Sequence, residues 1–156
     1  MNSKNIWGSA TSLLVGFNYE NDEQLKDFRK SLDQMLNSSN VDRLIIVVSV
    51  PKEVDKNTLP PHFLIYYNSP LDFNFWNKLK DVQLETELQK KYDMLIWFGN
   101  TDAKIFPYVQ ESAIKRKIIV NEKDASFDLQ LNAGSDVPSE MLHFVIETLK
   151  KISTNE

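Results

Sequence analysis

The sequence is short of cysteine and glycine, and each shortage excludes a kind of site. With no cysteine among its 156 residues, the chain has no disulfides, iron–sulfur clusters, thiolate zinc sites or cysteine nucleophiles. Its four glycines form neither a G-x-G-x-x-G nor a G-x-x-x-x-G-K-[ST] pattern, whose backbone amides cradle phosphate groups. A standard dinucleotide or P-loop site is therefore disfavoured, and no cofactor is predicted.

Residues typical of metal sites and hydrolases are also scarce. The two histidines, His62 and His143, lie far apart in the sequence, and neither has a partner at the spacing of a metal-binding motif. No serine lies in a G-x-S-x-G sequence, the turn that carries the nucleophile of many hydrolases. The sequence therefore predicts no metal site and disfavours hydrolase chemistry of that type.

Long apolar runs and blocks of like charge are missing as well. No stretch reaches the roughly 18 consecutive apolar residues of a membrane span, and residues 1–11 lack the apolar core of a signal peptide. The 18 basic and 22 acidic side chains are scattered and give a net charge of −4, without the basic patch that attracts nucleic acid or anionic lipid. We expect a cytoplasmic protein with neither nucleic acid nor membrane as a partner.

Apolar residues are abundant enough for one core. They make up 42% of a chain whose length is typical of one domain, so residues 1–156 are predicted to form a single domain. Three runs, Ser12–Phe17, Arg43–Val50 and Met94–Phe98, are almost continuously apolar. This pattern is typical of strands that are covered on both faces.

Amphipathic helices and shorter strands are predicted between these runs. Asn21 and Gln24 form a capping-box pattern ahead of apolar residues at helical spacing. A second helix is predicted at Asp81–Lys91. Other predicted features are alternative N-caps of a following helix (Asn100, Thr101, Asp102), the cap of the last helix (Asp136), and strands at Phe63–Tyr67, Ile118–Val120 and, at an edge, Phe127–Leu131. The alternation predicts a three-layer α/β/α sandwich with a mostly parallel sheet, Rossmann-like or flavodoxin-like, without a nucleotide fingerprint.

One stretch resembles a known family. From Asp72 the chain reads DFNFWNKLK, followed by a short helical segment and YDMLI; SAIKRKI and FDL come later. This resembles a bacterial family of domains of unknown function, with an aromatic-Trp-Gly-Lys segment before a short helix and a Phe-Asp-Leu-Leu-Ile strand. The similarity covers roughly residues 10–151, but Asn77 stands where the family has glycine, so a tight turn there is less strongly predicted. The resemblance implies a single-domain α/β protein and no catalytic residue, because the family has no assigned activity.

Polar residues follow two of the long predicted strands. Asn18 follows the first, and Asn100, Asp102 and Lys104 follow Met94–Phe98. Ligands of open α/β sheets bind at the carboxyl ends of the strands, so these four residues are candidates for ligand binding. The structural alternative, favoured for both clusters, is a polar turn with a helix cap.

Two other polar clusters are interpreted as structural. Asp93 and Asp128 each precede apolar strand residues, which places them at the opposite edge of the sheet, where they are predicted to accept hydrogen bonds from loop amides. Lys115-Arg116-Lys117 is placed where a helix ends and a strand begins. Cations there complement the helix carboxyl terminus, and this role is favoured over phosphate binding.

The segment Leu71–Trp76 places four large apolar side chains within six residues. They must either enter the core or meet a partner, and core packing is the first interpretation. The second is an interface formed by Phe73, Phe75 and Trp76, because large aromatic residues are enriched at binding hot spots.

Missing catalytic signatures beside a dense aromatic segment favour a non-catalytic interaction or scaffold domain, as a homo-oligomer or with another protein. The alternative is an enzyme that binds a small molecule or phosphate ester at the carboxyl edge of the sheet. This alternative rests on architectural analogy, and the sequence leaves open whether the protein is catalytic.

Overall fold

Six parallel strands form the central sheet of the computed structural model, which describes residues 5–62 and 64–154. The strands are β1 (Ser12–Asn18), β2 (Arg43–Ser49), β3 (Ile65–Asn68), β4 (Tyr92–Trp97), β5 (Ile114–Val120) and β6 (Leu129–Leu131). Their order is β3-β2-β1-β4-β5-β6, and every pairing is parallel. The predicted α/β class is confirmed, and the order is that of the Rossmann fold rather than the flavodoxin-like one.

Helices cover both faces of this sheet. The described residues form α1 (Ile6–Ser9), α2 (Asp22–Leu36), α3 (Val82–Leu88), α4 (Phe106–Gln110) and α5 (Pro138–Leu149), with 3₁₀ turns at Lys56–Thr58 and Pro70–Asp72. Helices α1, α2 and α5 lie on one face, and α3 and α4 lie on the other. Within the described ranges, no helix is both long and apolar enough to cross a membrane.

Two apolar layers hold the molecule together because successive strand residues point to opposite faces. In β1, Leu13 belongs to the layer under α2 and α5, whereas Leu14 belongs to the layer under α3 and α4. In the first layer the ring of Phe28 stacks on that of Phe17, with 4.1 Å between centroids. A sheet buried on both sides accounts for strands that are apolar at nearly every position.

The indole of Trp97 occupies space that side chains on two glycines would need. A Cβ atom at Gly16 would lie 2.1 Å from Cε3 of Trp97, and a Cβ atom at Gly99 would lie 2.9 Å from Cζ2. Gly16 and Trp97 are register partners in β1 and β4, so the ring lies across the neighbouring strand. These glycines therefore permit the packing of a large ring against the sheet, beneath its carboxyl edge.

The predicted start of α2 is confirmed, and the predicted cap of α5 is wrong. Oδ1 of Asn21 accepts a hydrogen bond from the Gln24 amide at 2.8 Å. Helix α5 begins at Pro138 with Val137 as its N-cap, so Asp136 is not the cap. Proline fixes the φ angle of the first helical position, and this decides where the helix starts.

The caps predicted for α4 are also wrong. Its N-cap is Ile105, which makes no side-chain capping bond. Asn100, Thr101 and Asp102 lie earlier, in the loop that follows β4. Pro107 falls in the first turn of the helix, where its missing N–H is tolerated.

Some boundaries differ from those predicted. Strand β5 begins at Ile114, so Lys115-Arg116-Lys117 lies within a strand and not directly at the end of a helix. Lys117 nevertheless has the predicted role, because its Nζ donates a hydrogen bond to the carbonyl of Gln110, the last residue of α4. Helix α1 was not predicted because its four residues are too few to show a periodic pattern. The predicted edge strand is confirmed as β6. Strand β3 begins at Ile65, and Phe63, in the strand predicted there, lies outside the described residues.

Candidate functional site

Strands β1, β2, β3 and β4 end around one cavity of about 380 Å³, called here the carboxyl-edge cavity. The four residues that the sequence indicates for ligand binding, Asn18, Asn100, Asp102 and Lys104, all line this cavity. It lies beside the β1–β4 boundary, where the strand order reverses. This is the point at which open α/β sheets bind ligands.

A row of polar side chains forms part of the cavity wall. Asn18 of β1 is the register partner of Ser49 of β2, and Ser49 is the register partner of Asn68 of β3. The three side chains therefore project from the same face of the sheet, the face that carries Leu14 and Val47 deeper in the core. The apolar face thus becomes polar at its last register position, in three neighbouring strands at once.

Asn68 is the most buried polar residue of the wall. The residue is 3% exposed, yet its side-chain amide makes no hydrogen bond to any residue in the described ranges. Side chains this buried are normally paired. The fully enclosed and unpaired side-chain atoms of the described chain are the indole nitrogens of Trp7 and Trp97, so the Asn68 amide is not sealed in the core and remains open to the cavity.

Ser69, the next residue, is equally buried but differs from Asn68 in its hydrogen bonding. It is 4% exposed, and its Oγ accepts a hydrogen bond from the Leu71 amide at 3.1 Å. Ser69 therefore has a structural partner, whereas Asn68 has a polar side chain available to a ligand.

Sequence reasoning missed Ser49 and Asn68. A signal was present, because each is a polar residue at the end of an apolar strand, as Asn18 is. The strand predicted at Arg43–Val50 includes Ser49, and the residues after Tyr67 show no clear pattern, so neither residue is indicated as a strand end.

Charge on the wall is mixed and slightly negative. Glu20 and Asp102 supply carboxylates, and Lys104 supplies an ammonium group. Nζ of Lys104 lies 5.9 Å from the centroid of the Phe73 ring, within reach of a cation–π contact. The hydroxyl of Tyr19 donates to Asp22, and this hydrogen bond raises the pKa of Tyr19. Tyr19 is therefore protonated at neutral pH and supplies no base.

A second cavity, of about 440 Å³, lies on the other side of Asn18 and Asn100, next to the start of α2. In Rossmann proteins the pyrophosphate lies at this helix start. Here the lining contains Glu20, Glu122 and Asp136 and no lysine or arginine, and the first turn of α2 carries two more acids. This charge opposes a phosphate group.

A larger cavity, of about 720 Å³, runs along the outside of α2 opposite Thr58 and Pro60. Its wall carries Lys26, Arg29 and Asp33, long or charged side chains of a solvated helix face. No residue that the sequence indicates for ligand binding lines it.

Residues 73–79 form a tight antiparallel turn, called here the aromatic hairpin. Phe73 and Leu79 pair across it, and the Asn74 amide donates to the Lys78 carbonyl at 2.7 Å. Oδ1 of Asn74 accepts hydrogen bonds from the amides of Trp76 and Lys78, at 2.8 and 3.0 Å. Asn77 adopts a left-handed backbone with φ of 61°, which asparagine tolerates better than most residues. The tight turn therefore forms without a glycine at this position.

The hairpin presents two aromatic side chains to solvent. Phe75 is 90% exposed and Trp76 is 75% exposed, and their rings meet edge to face with 5.5 Å between centroids. Phe73 is 7% exposed and packs against Tyr108, whose hydroxyl accepts a hydrogen bond from the Leu79 amide. Of the three residues proposed for an interface, two therefore share the exposed tip, and Phe73 anchors the hairpin to the core.

The opposite edge of the sheet is held by the two aspartates that the sequence indicates as structural. Oδ2 of Asp93 accepts hydrogen bonds from the amide and the hydroxyl of Thr11, at 2.8 and 2.9 Å. Oδ2 of Asp128 accepts one from the Lys117 amide at 2.8 Å. Thr11 lies in the loop before β1, so the predicted role of Asp93 is confirmed. Asp128 accepts its bond from an amide within β5 and not from a loop amide.

No protein-family model matches the chain, and no curated protein matches it significantly. The resemblance to the bacterial family therefore remains a hypothesis.

Proposed function

We propose that this protein is a non-catalytic interaction domain that associates with a second copy of itself through the tip of the aromatic hairpin. The observation that carries this proposal is the exposure of Phe75 and Trp76, 90% and 75%, on a turn held by its own hydrogen bonds. A turn that is already ordered loses little conformational entropy when it binds.

Energetics favour the burial of this tip. Fully burying a large apolar side chain such as phenylalanine gains about 1.5–3 kcal/mol before the costs of association. Phe75 and Trp76 carry no charge that would repel an identical tip. Leu71, nearby in sequence and 65% exposed, adds apolar surface. A two-fold pairing places the same patch of each copy against the other.

Size-exclusion chromatography with light scattering tests this proposal. We expect the wild type to be a dimer at micromolar concentration, and Trp76→Ala and the double variant Phe75→Ala/Trp76→Ala to be monomers. Val82→Ala is the matched control, because Val82 is an apolar residue 73% exposed on α3, and it should remain dimeric. A wild type that stays monomeric, or a double variant that stays dimeric, argues against self-association through this tip.

Small-molecule binding is the second candidate function, and the gathering of Asn18, Asn100, Asp102 and Lys104 around one cavity supports it. The acidic lining of the neighbouring cavity and of the α2 start argues against a phosphate ester as the ligand. Thermal-shift measurements with nucleotides, sugar phosphates and flavins should therefore show no rise in melting temperature. A clear rise with any of them would restore the phosphate-ester hypothesis.

A further inference from the structure

We propose that the carboxyl-edge cavity binds a neutral, hydroxyl-rich small molecule of about monosaccharide size, and that the Asn68 amide is its central hydrogen-bonding group. This inference rests on the second candidate function, that the cavity takes a small molecule. It adds a residue, Asn68, that the sequence did not indicate, and a ligand class.

The Asn68 side chain is polar, buried and without a hydrogen-bond partner among the described residues, which are the properties expected of a ligand-binding group. The residue is 3% exposed, and within the described ranges nothing hydrogen bonds to its side-chain amide. A buried polar group without a partner costs free energy, so such groups call for an explanation. Because the amide lines a cavity, a ligand that enters can supply the missing partners.

The neighbours of Asn68 have matching chemistry. Ser49 and Asn18 continue the row at the strand spacing of about 4.8 Å, and Asn100 faces them from the loop after β4. Amides and hydroxyls both donate and accept hydrogen bonds. Ligand hydroxyl groups do the same, so a polyhydroxy compound can pair with both the donors and the acceptors of this wall. A purely anionic group can only accept hydrogen bonds.

Charge and size narrow the class further. Glu20 and Asp102 outnumber Lys104 on the wall, so a phosphorylated compound would meet a net negative surface. In the described part of the chain no three metal-ligating side chains cluster, so the wall does not suggest a metal complex. The volume of about 380 Å³ lies near the lower end of the roughly 300–1,000 Å³ of small-molecule sites, and it suits a ligand of about one sugar unit.

The first experiment asks whether the Asn68 amide is free, and it needs no ligand. Asn68→Leu keeps the approximate shape of the side chain and removes its polar atoms. We expect this variant to melt at or above the wild-type temperature, because no internal hydrogen bond is lost. Ser69→Ala is the matched control: an equally buried neighbour that loses an internal bond and should melt below the wild type. If Asn68→Leu is destabilised as much as Ser69→Ala, the amide is structural and the site is refuted.

The second experiment tests the ligand class with named probes. Side-chain amide resonances of ¹⁵N-labelled wild type and Asn68→Leu are followed during separate titrations with D-ribose, D-glucose, myo-inositol, sodium phosphate and magnesium chloride. We expect at least one polyhydroxy probe to shift the Asn18, Asn68 and Asn100 signals, and Asn68→Leu to bind it about tenfold more weakly, as the loss of one or two hydrogen bonds implies.

The outcomes separate the two levels of the inference. Shifts caused by phosphate or magnesium and by none of the polyhydroxy probes would refute the ligand class while leaving a small-molecule site in place. No shift with any of the probes would also refute the class. A polyhydroxy probe that binds equally well to Asn68→Leu would refute the role of Asn68.

Discussion

Single side chains at the amino edge of the sheet tie strands to loops, and Asp93 does so through two hydrogen bonds to one residue. The carboxylate accepts hydrogen bonds from both the amide and the hydroxyl of Thr11. The backbone amide of Asp93 donates a hydrogen bond to Oγ of Ser12 at 2.8 Å. The bond from the Thr11 backbone amide is the main cause that lowers the pKa of Asp93 below its usual value of 3.8, and partial burial opposes it.

This lowered pKa predicts how the stability due to Asp93 depends on pH. The folded protein holds the ionised form more firmly than the unfolded chain does, so the contribution is complete above the unfolded pKa near 3.8 and disappears as the pH falls through the lower folded value. Asp93→Asn should therefore be less stable than the wild type at pH 7 by about 1 kcal/mol, because charge-assisted hydrogen bonds near the surface are weakened. Below about pH 4 the two stabilities should converge.

Urea unfolding of both proteins from pH 7 down to pH 3 measures this convergence. Asp42→Asn is the control, since Asp42 is exposed and its carboxylate accepts no hydrogen bond from the described residues. Its difference from the wild type should be small at pH 7. A stability gap for Asp93→Asn that stays constant down to pH 3 would contradict the assignment.

At this scale the sequence predicted part of the candidate site. Asn18, Asn100, Asp102 and Lys104 follow apolar runs that could only be buried strands, so their meeting at one edge follows from parallel pairing. Asn68 could not be placed in the same way, because its strand is short and follows a proline-rich loop. Its burial without a partner is a property of the packed molecule that no local pattern reports.

The aromatic hairpin is well defined in the structure, but its sequence gives only a weak signal for it. Its turn depends on Asn74, whose side chain accepts hydrogen bonds from two backbone amides, and on the left-handed backbone of Asn77. Neither feature produces a periodic pattern in the sequence. The sequence therefore shows only a run of large residues there and predicts no secondary-structure element. The long helix α2, in contrast, showed both its cap and its apolar stripe in the sequence.

Asn77 provides the prediction for this element. Asn77→Ala should lower the free energy of unfolding by about 1 kcal/mol, because a Cβ-bearing residue without a local polar side chain is disfavoured in the left-handed region. Asn77→Gly should leave stability unchanged or slightly higher, because glycine enters that region freely. Urea unfolding, together with hydrogen exchange at the Trp76 and Lys78 amides, gives the measurement. Equal losses for alanine and glycine would mean that the Asn77 side chain, and not its backbone angle, holds the turn.

For the whole molecule, the sequence predicted the class but not the strand order. The apolar runs of β1, β2 and β4 are similar in length and composition, so the sequence offers little to decide which lies beside which. The order is set by long-range packing, such as the fit of the Trp97 indole over Gly16. The same packing joins the two apolar layers, because β1 and β4 contribute side chains to both.

That shared sheet predicts one cooperative unfolding transition, and the three tryptophans allow each layer to be observed separately. Trp7 is buried in the layer of α1, α2 and α5, Trp97 is buried in the layer of α3 and α4, and Trp76 is exposed. The variant Trp76→Phe/Trp97→Phe leaves Trp7 as the only indole, and Trp7→Phe/Trp76→Phe leaves Trp97. Core substitutions lower stability, so the fluorescence of each variant is compared with the far-UV circular dichroism of the same variant.

In both variants we expect the urea midpoints from fluorescence and circular dichroism to coincide, since neither layer can lose its packing without exposing the strands that the other layer also covers. A layer that melted on its own would show its fluorescence change before the loss of secondary structure. If this occurred for Trp97 alone, the layer of α3 and α4 would be a separate unit of lower stability. The carboxyl-edge cavity and the aromatic hairpin, which both adjoin that layer, would then be open to local rearrangement while the rest of the sheet stayed folded.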